Sequence, residues 1–167
     1  MTPADLLIDA FTRVLDDGVA VVSGLDRDQL SHRVGADANS IAWLVWHLTR
    51  VQDDHVSEVA GREQLWTAEG FIERFGFDFE PDDIGYGHDD AQVARVRADA
   101  RLLTAYLRAV HEQTVRFLRT VSPEDLDRVV DERWDPPVTL GVRLVSVVND
   151  DTQHVGQAAF VRGLLGL

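Results

Sequence analysis

The sequence predicts an all-α fold: a four-helix bundle with short extra helices and a long loop between its second and third helices. Three observations predict it. Four long stretches repeat apolar residues at alternating spacings of three and four, the period of a helix that buries one stripe. No stretch alternates apolar and polar residues as a half-buried strand does. At 167 residues, with no repeat, low-complexity tract or composition boundary, the chain fits one domain over 1–167.

The first helix opens at Thr2-Pro3-Ala4-Asp5, a cap followed by a first-turn proline and an early acid. Leu7, Phe11, Val14, Gly18, Val21 and Leu25 form its stripe. A turn region with a short helix near Asp26 to Leu30 leads to the second long helix. That helix starts at Asn39-Ser40, carries Ile41, Leu44, Val45, Leu48 and Val51 on its apolar face, and stops at Gly61. Arg62 to Phe75 holds a short helix, and Gly76 to Asp90, rich in Gly, Asp and Pro, reads as the long loop. The third long helix runs from Asp89 or Asp90 to about Val121 on the stripe Val96, Ala100, Leu103, Leu107, Val110, Thr114, Phe117 and Val121. Ser122-Pro123-Glu124-Asp125 ends it and caps a short successor. Asp131 to Thr139, with Pro136-Pro137, is extended, and the last helix covers Leu140 to Leu165.

Composition removes several function classes. The chain has 29 acidic and 16 basic residues, a net charge of −13. Nucleic acid and anionic membrane surfaces repel such a protein. Every basic residue is arginine, so lysine Schiff-base chemistry and a lysine-bearing phosphate loop are excluded. The absence of cysteine removes disulfides, thiolate metal sites and a cysteine nucleophile. Any metal must sit on His, Asp or Glu. The N-terminus carries acid where a secretion signal carries a basic segment, and the longest apolar run, Ile41 to Trp46, is too short to span a bilayer. A cytoplasmic protein is expected.

The informative residues are polar ones on faces that should be apolar. On the last helix, at about 100° per residue, Asp150 and His154 fall within the stripe of Val147, Ala158, Val161 and Leu165, and Asp151 falls at its other border. Asp150 and His154 stand one turn apart, as two ligands of one ion would. On the second helix His47 lies at the edge of the apolar stripe and His55 nearer its centre; either can supply a third ligand. Trp43 precedes His47 by one turn and reads as core or pocket wall. Asp54 and His55 are placed to contact the site's surroundings or orient His47. Arg143, two turns before Asp150, can hold an anionic substrate or pair with a nearby acid. Tyr86 and His88 can cover the site from the loop, while His32 and His111 carry no signal.

Asn39-Ser40-Ile41-Ala42-Trp43-Leu44-Val45-Trp46-His47-Leu48 and Asp150-Asp151-Thr152-Gln153-His154-Val155-Gly156-Gln157, followed by Arg162-Gly163-Leu164-Leu165-Gly166, resemble the DinB/YfiT-like superfamily. The resemblance extends over the whole chain and is closest to the branch of actinobacterial mycothiol-dependent S-transferases and maleylpyruvate isomerase. It implies a divalent metal held by His47, Asp150 and His154, with Asp151 as an alternative carboxylate. Zinc is the first expectation, with nickel, iron and manganese compatible with such donors. It further implies mycothiol as cosubstrate, an electrophilic small molecule as its partner, and a homodimer as an assembly to test. The rival readings are a non-catalytic metal- or ligand-binding bundle and a metal-hydroxide hydrolase. A DNA-damage role, suggested by the superfamily's name, is opposed by the net charge.

Overall fold

Each long helix begins where a side chain satisfies its first free N–H groups. The computed structural model describes residues 1–167. Thr2 accepts from Asp5 N–H at 3.1 Å while the Asp5 carboxylate accepts from Thr2 N–H at 2.7 Å, starting α1 (Pro3–Val22). Asp26 caps α2 (Arg27–Ser31) in the same reciprocal way. Ser40 caps α3 (Ile41–Ala60), which ends on Gly61 in the left-handed conformation at φ 65°. Two short helices follow, α4 (Leu65–Ala68) and α5 (Phe71–Phe75), where one was expected. The segment from Gly76 to Asp89 is the expected loop.

The third long helix is divided, contrary to expectation. It consists of α6 (Asp90–Arg95) and α7 (Ala100–Leu118), separated by four non-helical residues. Asp99 caps the new helix through Leu102 N–H at 2.9 Å, and the Arg27 guanidinium takes the Arg97 carbonyl at 2.7 Å. Val96 and Ala98 remain buried in the interruption. An apolar spacing that looks continuous therefore survives a break in the helix.

A 3₁₀ turn at Glu124–Asp127 leads to a small antiparallel ribbon, β1 (Val129–Asp131) with β2 (Val138–Thr139). The sequence reading anticipated extended chain here but no strand. The ribbon hands the chain directly to α8 (Leu140–Leu164), capped by Thr139.

α1 and α3 stand diagonally across the bundle, each packed against both α7 and α8. The larger part of the core surrounds Leu44, Trp46, Leu48, Leu103, Tyr106 and Leu107; a smaller part joins Phe11, Val56, Leu118, Leu144 and Val147. α3 is buried almost all round, because α4, α5 and the long loop cover the face that a plain bundle would expose. The apolar run Ile41 to Trp46 is the sequence trace of this second covering. No helix is long and apolar enough to cross a membrane.

Candidate metal centre

His47 on α3 is 5% exposed, and its ring is held from two sides. Trp43, one turn earlier, stacks on it with ring centroids 4.5 Å apart and planes 14° off parallel. The Ile84 carbonyl of the long loop accepts from His47 Nδ1 at 2.5 Å. A carbonyl only accepts, so Nδ1 carries the proton and Nε2 keeps a free lone pair.

α8 supplies the other donors. His154 Nδ1 donates to the Asp150 carbonyl at 2.8 Å, which again leaves Nε2 free. Asp150 Oδ2 lies 3.2 Å from His154 Nδ1, is covered from solvent, and has no hydrogen-bond partner. The His47 and His154 ring centroids are 4.7 Å apart. One ligand atom from each of His47, Asp150 and His154 lies within 4.8 Å of the others. A divalent ion fits this set: two imidazoles are oriented through their far nitrogens, and a shielded carboxylate oxygen lacks any other partner.

The electrostatics suit a cation. Burial lowers the His47 pKa, more strongly than the Ile84 hydrogen bond raises it, so the imidazole favours its neutral, ligating form. Burial opposes charge on Asp150, but the His154 ring beside its carboxylate, with smaller contributions from His47 and His55, outweighs that and lowers its pKa. Burial likewise opposes a charged His154, yet Asp150 overrides it and raises the His154 pKa.

Asp151 corrects the helical-wheel reading. Leu140, Leu144, Val147, Asp151, Val155, Ala158 and Val161 are the buried residues of α8, so Asp151 stands in the middle of the stripe rather than at its border. It is fully buried, and neither carboxylate oxygen has a partner. Burial and the neighbouring Asp150 push its pKa far up. Asp150 and His154, expected within the stripe, are instead half-covered at its edge, where a ligand can reach them.

The remaining expectations divide. Trp43 is both core and wall, 6% exposed and 6.3 Å from His154 between ring centroids. Asp54 and His55 do not orient His47. Asp54 accepts from Gln64 Nε2 at 2.7 Å, and His55 Nδ1 lies 3.3 Å from Asp54 Oδ2. His55 is also not at the centre of the apolar stripe; its side chain is 27% exposed. Both residues line a polar cleft of about 670 Å³ with Glu58, Arg62 and Arg133. His55 and Asp150 are near enough to influence each other's charge. Arg143 Nη2 donates to Asp131 at 2.9 Å, so the pairing with a nearby acid is present, while its Nε is buried without a partner. Tyr86 is 91% exposed, whereas His88 is buried against Trp43 and Asp83 rather than lying on the surface. His111 contacts Thr12 at 3.1 Å, away from the site.

The residues that the sequence reading missed are Asp83, Ile84 and Gly85. Ile84 acts through its backbone carbonyl, which no side-chain pattern reports. The pair Gly85 and Gly87 was the one available signal, and it marked only a loop.

The family model for mycothiol-S-transferase matches residues 6–166. A solved structure described as a conserved protein from Enterococcus faecalis is 29% identical, with a TM-score of 0.93, over 100% of this chain and 99% of that chain. No curated protein matches. In sequence and in fold, the chain belongs to the mycothiol S-transferase family of DinB/YfiT-like helical bundles.

Proposed function

We propose that this protein joins mycothiol, through its thiol sulfur, to an electrophilic small molecule, using one divalent ion, zinc in the first instance, held by His47, Asp150 and His154. The observation that carries the reading is the convergence of three donors from two helices around an oxygen without a partner. Such an ion supplies a thiol with a lowered pKa at neutral pH, a nucleophile that a chain without cysteine cannot supply itself. Two imidazoles and one carboxylate leave coordination positions for a substrate.

The chain's own residues set the geometry. Ile84 and the Asp150 carbonyl fix the two imidazoles with Nε2 free. Trp43 closes one side and excludes water from the stacked face of His47. The cleft beside His55 is lined mainly by polar and charged side chains, among them Asp54, Glu58, Arg62 and Gln64, which can hydrogen-bond a hydroxyl-rich thiol. In the reaction a sulfur–carbon bond forms, the thiol proton passes to solvent, and the leaving group of the electrophile departs with its electron pair.

The test combines metal content of the purified protein with consumption of an electrophilic dye such as monobromobimane. The expected result is one bound ion per chain and mycothiol-dependent turnover, both lost in His154→Ala. A metal-loaded protein with no thiol-dependent turnover indicates a binding bundle and rejects the transferase reading.

A further inference from the structure

The long loop does more than cover the core, and its polar contacts flank one metal-ligand candidate, His47, and reach it through the Ile84 carbonyl. Trp43, His47 and Arg50 occupy successive turns of one face of α3, and residues 81–88 cross all three. Arg50, fully buried, donates to the carbonyls of Pro81 at 3.3 Å and Asp83 at 3.2 Å. At the other end Trp43 Nε1 donates to His88 Nδ1 at 3.1 Å. An indole N–H only donates, so His88 carries its proton on Nε2 and gives it to Asp83 at 2.9 Å. The same Asp83 carboxylate accepts from Gly85 N–H at 2.7 Å.

Between these anchors the backbone presses on His47. Ile84 offers its carbonyl, and Gly85 sits at φ +90° with no room for a side chain. A Cβ on Gly85 would lie 2.9 Å from His47 Nδ1, 2.9 Å from Trp46 and 3.2 Å from Trp43. Covering the core needs only apolar contact, which Phe77 and Phe79 already provide against Trp46. The hydrogen bonds of residues 83–88 need a different explanation.

We infer that Asp83, Gly85 and His88 are positioning residues for His47: they lock the loop so that the Ile84 carbonyl fixes the tautomer and rotation of the ring, aiming Nε2 at Asp150 and His154. This rests on the metal reading above. The Ile84 carbonyl stands one bond behind the ligand, where a partner typically changes metal affinity by about 10–100-fold, and Asp83, Gly85 and His88 act through it.

The experiment measures cobalt(II) and zinc(II) affinity by competition with a chelating dye, the visible spectrum of the cobalt form, and melting of the metal-free protein. Asp83→Ala and Gly85→Ala, which disturb the Ile84 carbonyl indirectly, are expected to weaken binding by up to about 10-fold, the lower end of the range for a direct partner, and to shift the cobalt spectrum. Asp83→Asn keeps one acceptor oxygen, within 3.0 Å of both Gly85 N and His88 Nε2, but sets its NH2 against His88 Nε2–H, and is expected to restore part of the affinity. If Gly85→Ala does not fold, Asp83→Ala decides the matter, since that side chain is 21% exposed and can be cut without opening the core. Wild-type affinity and an unchanged spectrum in the folded variants overturn the positioning role and leave the metal centre standing. A wild-type protein that binds neither ion overturns the metal reading and the positioning role with it.

Discussion

His154 and Asp151, three residues apart on α8, carry opposite electrostatic consequences. The His154 pKa is raised above the ordinary 6.5, so without metal the ring keeps its proton to higher pH than a free imidazole. A metal must displace that proton. Apparent metal affinity is therefore expected to decline with falling pH from above 6.5. Calorimetric metal titrations across pH check this; an affinity flat between pH 8 and about 6 contradicts it. Asp151 binds its proton in the folded chain far above the ordinary 3.8. The unfolded chain releases that proton near the ordinary value, so stability falls as pH rises through the interval between the two. In chelator-treated protein the melting temperature of Asp151→Asn should thus gain on wild type as the pH rises above the ordinary 3.8, whereas parallel curves count against a protonated Asp151. At this scale the sequence was half legible. The resemblance marked His47, Asp150 and His154, and the structure brings them together. A helical wheel misplaced Asp151, because a stripe drawn through four apolar residues cannot tell its centre from its edge.

Among the elements, α3 organises the molecule. Its ends were readable from Ser40 and Gly61, since caps are local chemistry. What covers it was not, because the covering is made by backbone groups and buried polar side chains from residues distant in the chain. Asp53, 1% exposed, shows how this works. It accepts from Leu65 N–H at 3.0 Å, Trp66 N–H at 2.8 Å and the Tyr106 hydroxyl at 2.7 Å, tying α4 and α7 to α3. Asp53→Ala takes the acceptor from these three buried donors and from the Ser57 hydroxyl at 3.3 Å, and strips the fully buried Arg50 of its nearest carboxylate, at 4.0 Å. A loss of about 3–5 kcal/mol, the range for breaking a buried charged pair, is expected in denaturant unfolding. A loss below about 1 kcal/mol, typical of a surface pair, shows that the network does not hold the covering in place. The break between α6 and α7 escaped the sequence reading for a similar reason. Arg27, far away in sequence, captures the Arg97 carbonyl, and Val96 and Ala98 keep the apolar rhythm through the gap.

For the molecule as a whole, the bundle and its helix order were legible because four amphipathic segments of this length have few ways to bury their stripes. The ribbon was not, being two short strands whose pairing depends on Asp131, anchored by Arg133 and Arg143, more than on any alternation of residue types. The charge of −13 also takes on two meanings. Most of it lies on the surface and opposes binding to nucleic acid, while Asp150 and Asp151 are turned inward, one toward the metal centre and one into the core. The central claim is that one ion on His47, Asp150 and His154 binds the thiol of mycothiol. The most direct measurement is the absorption spectrum of the cobalt(II)-loaded protein during titration with mycothiol. The account predicts a near-ultraviolet sulfur-to-cobalt charge-transfer band that saturates at one thiol per chain and is absent in His154→Ala. No band in the wild type, or an equal band in His154→Ala, contradicts it.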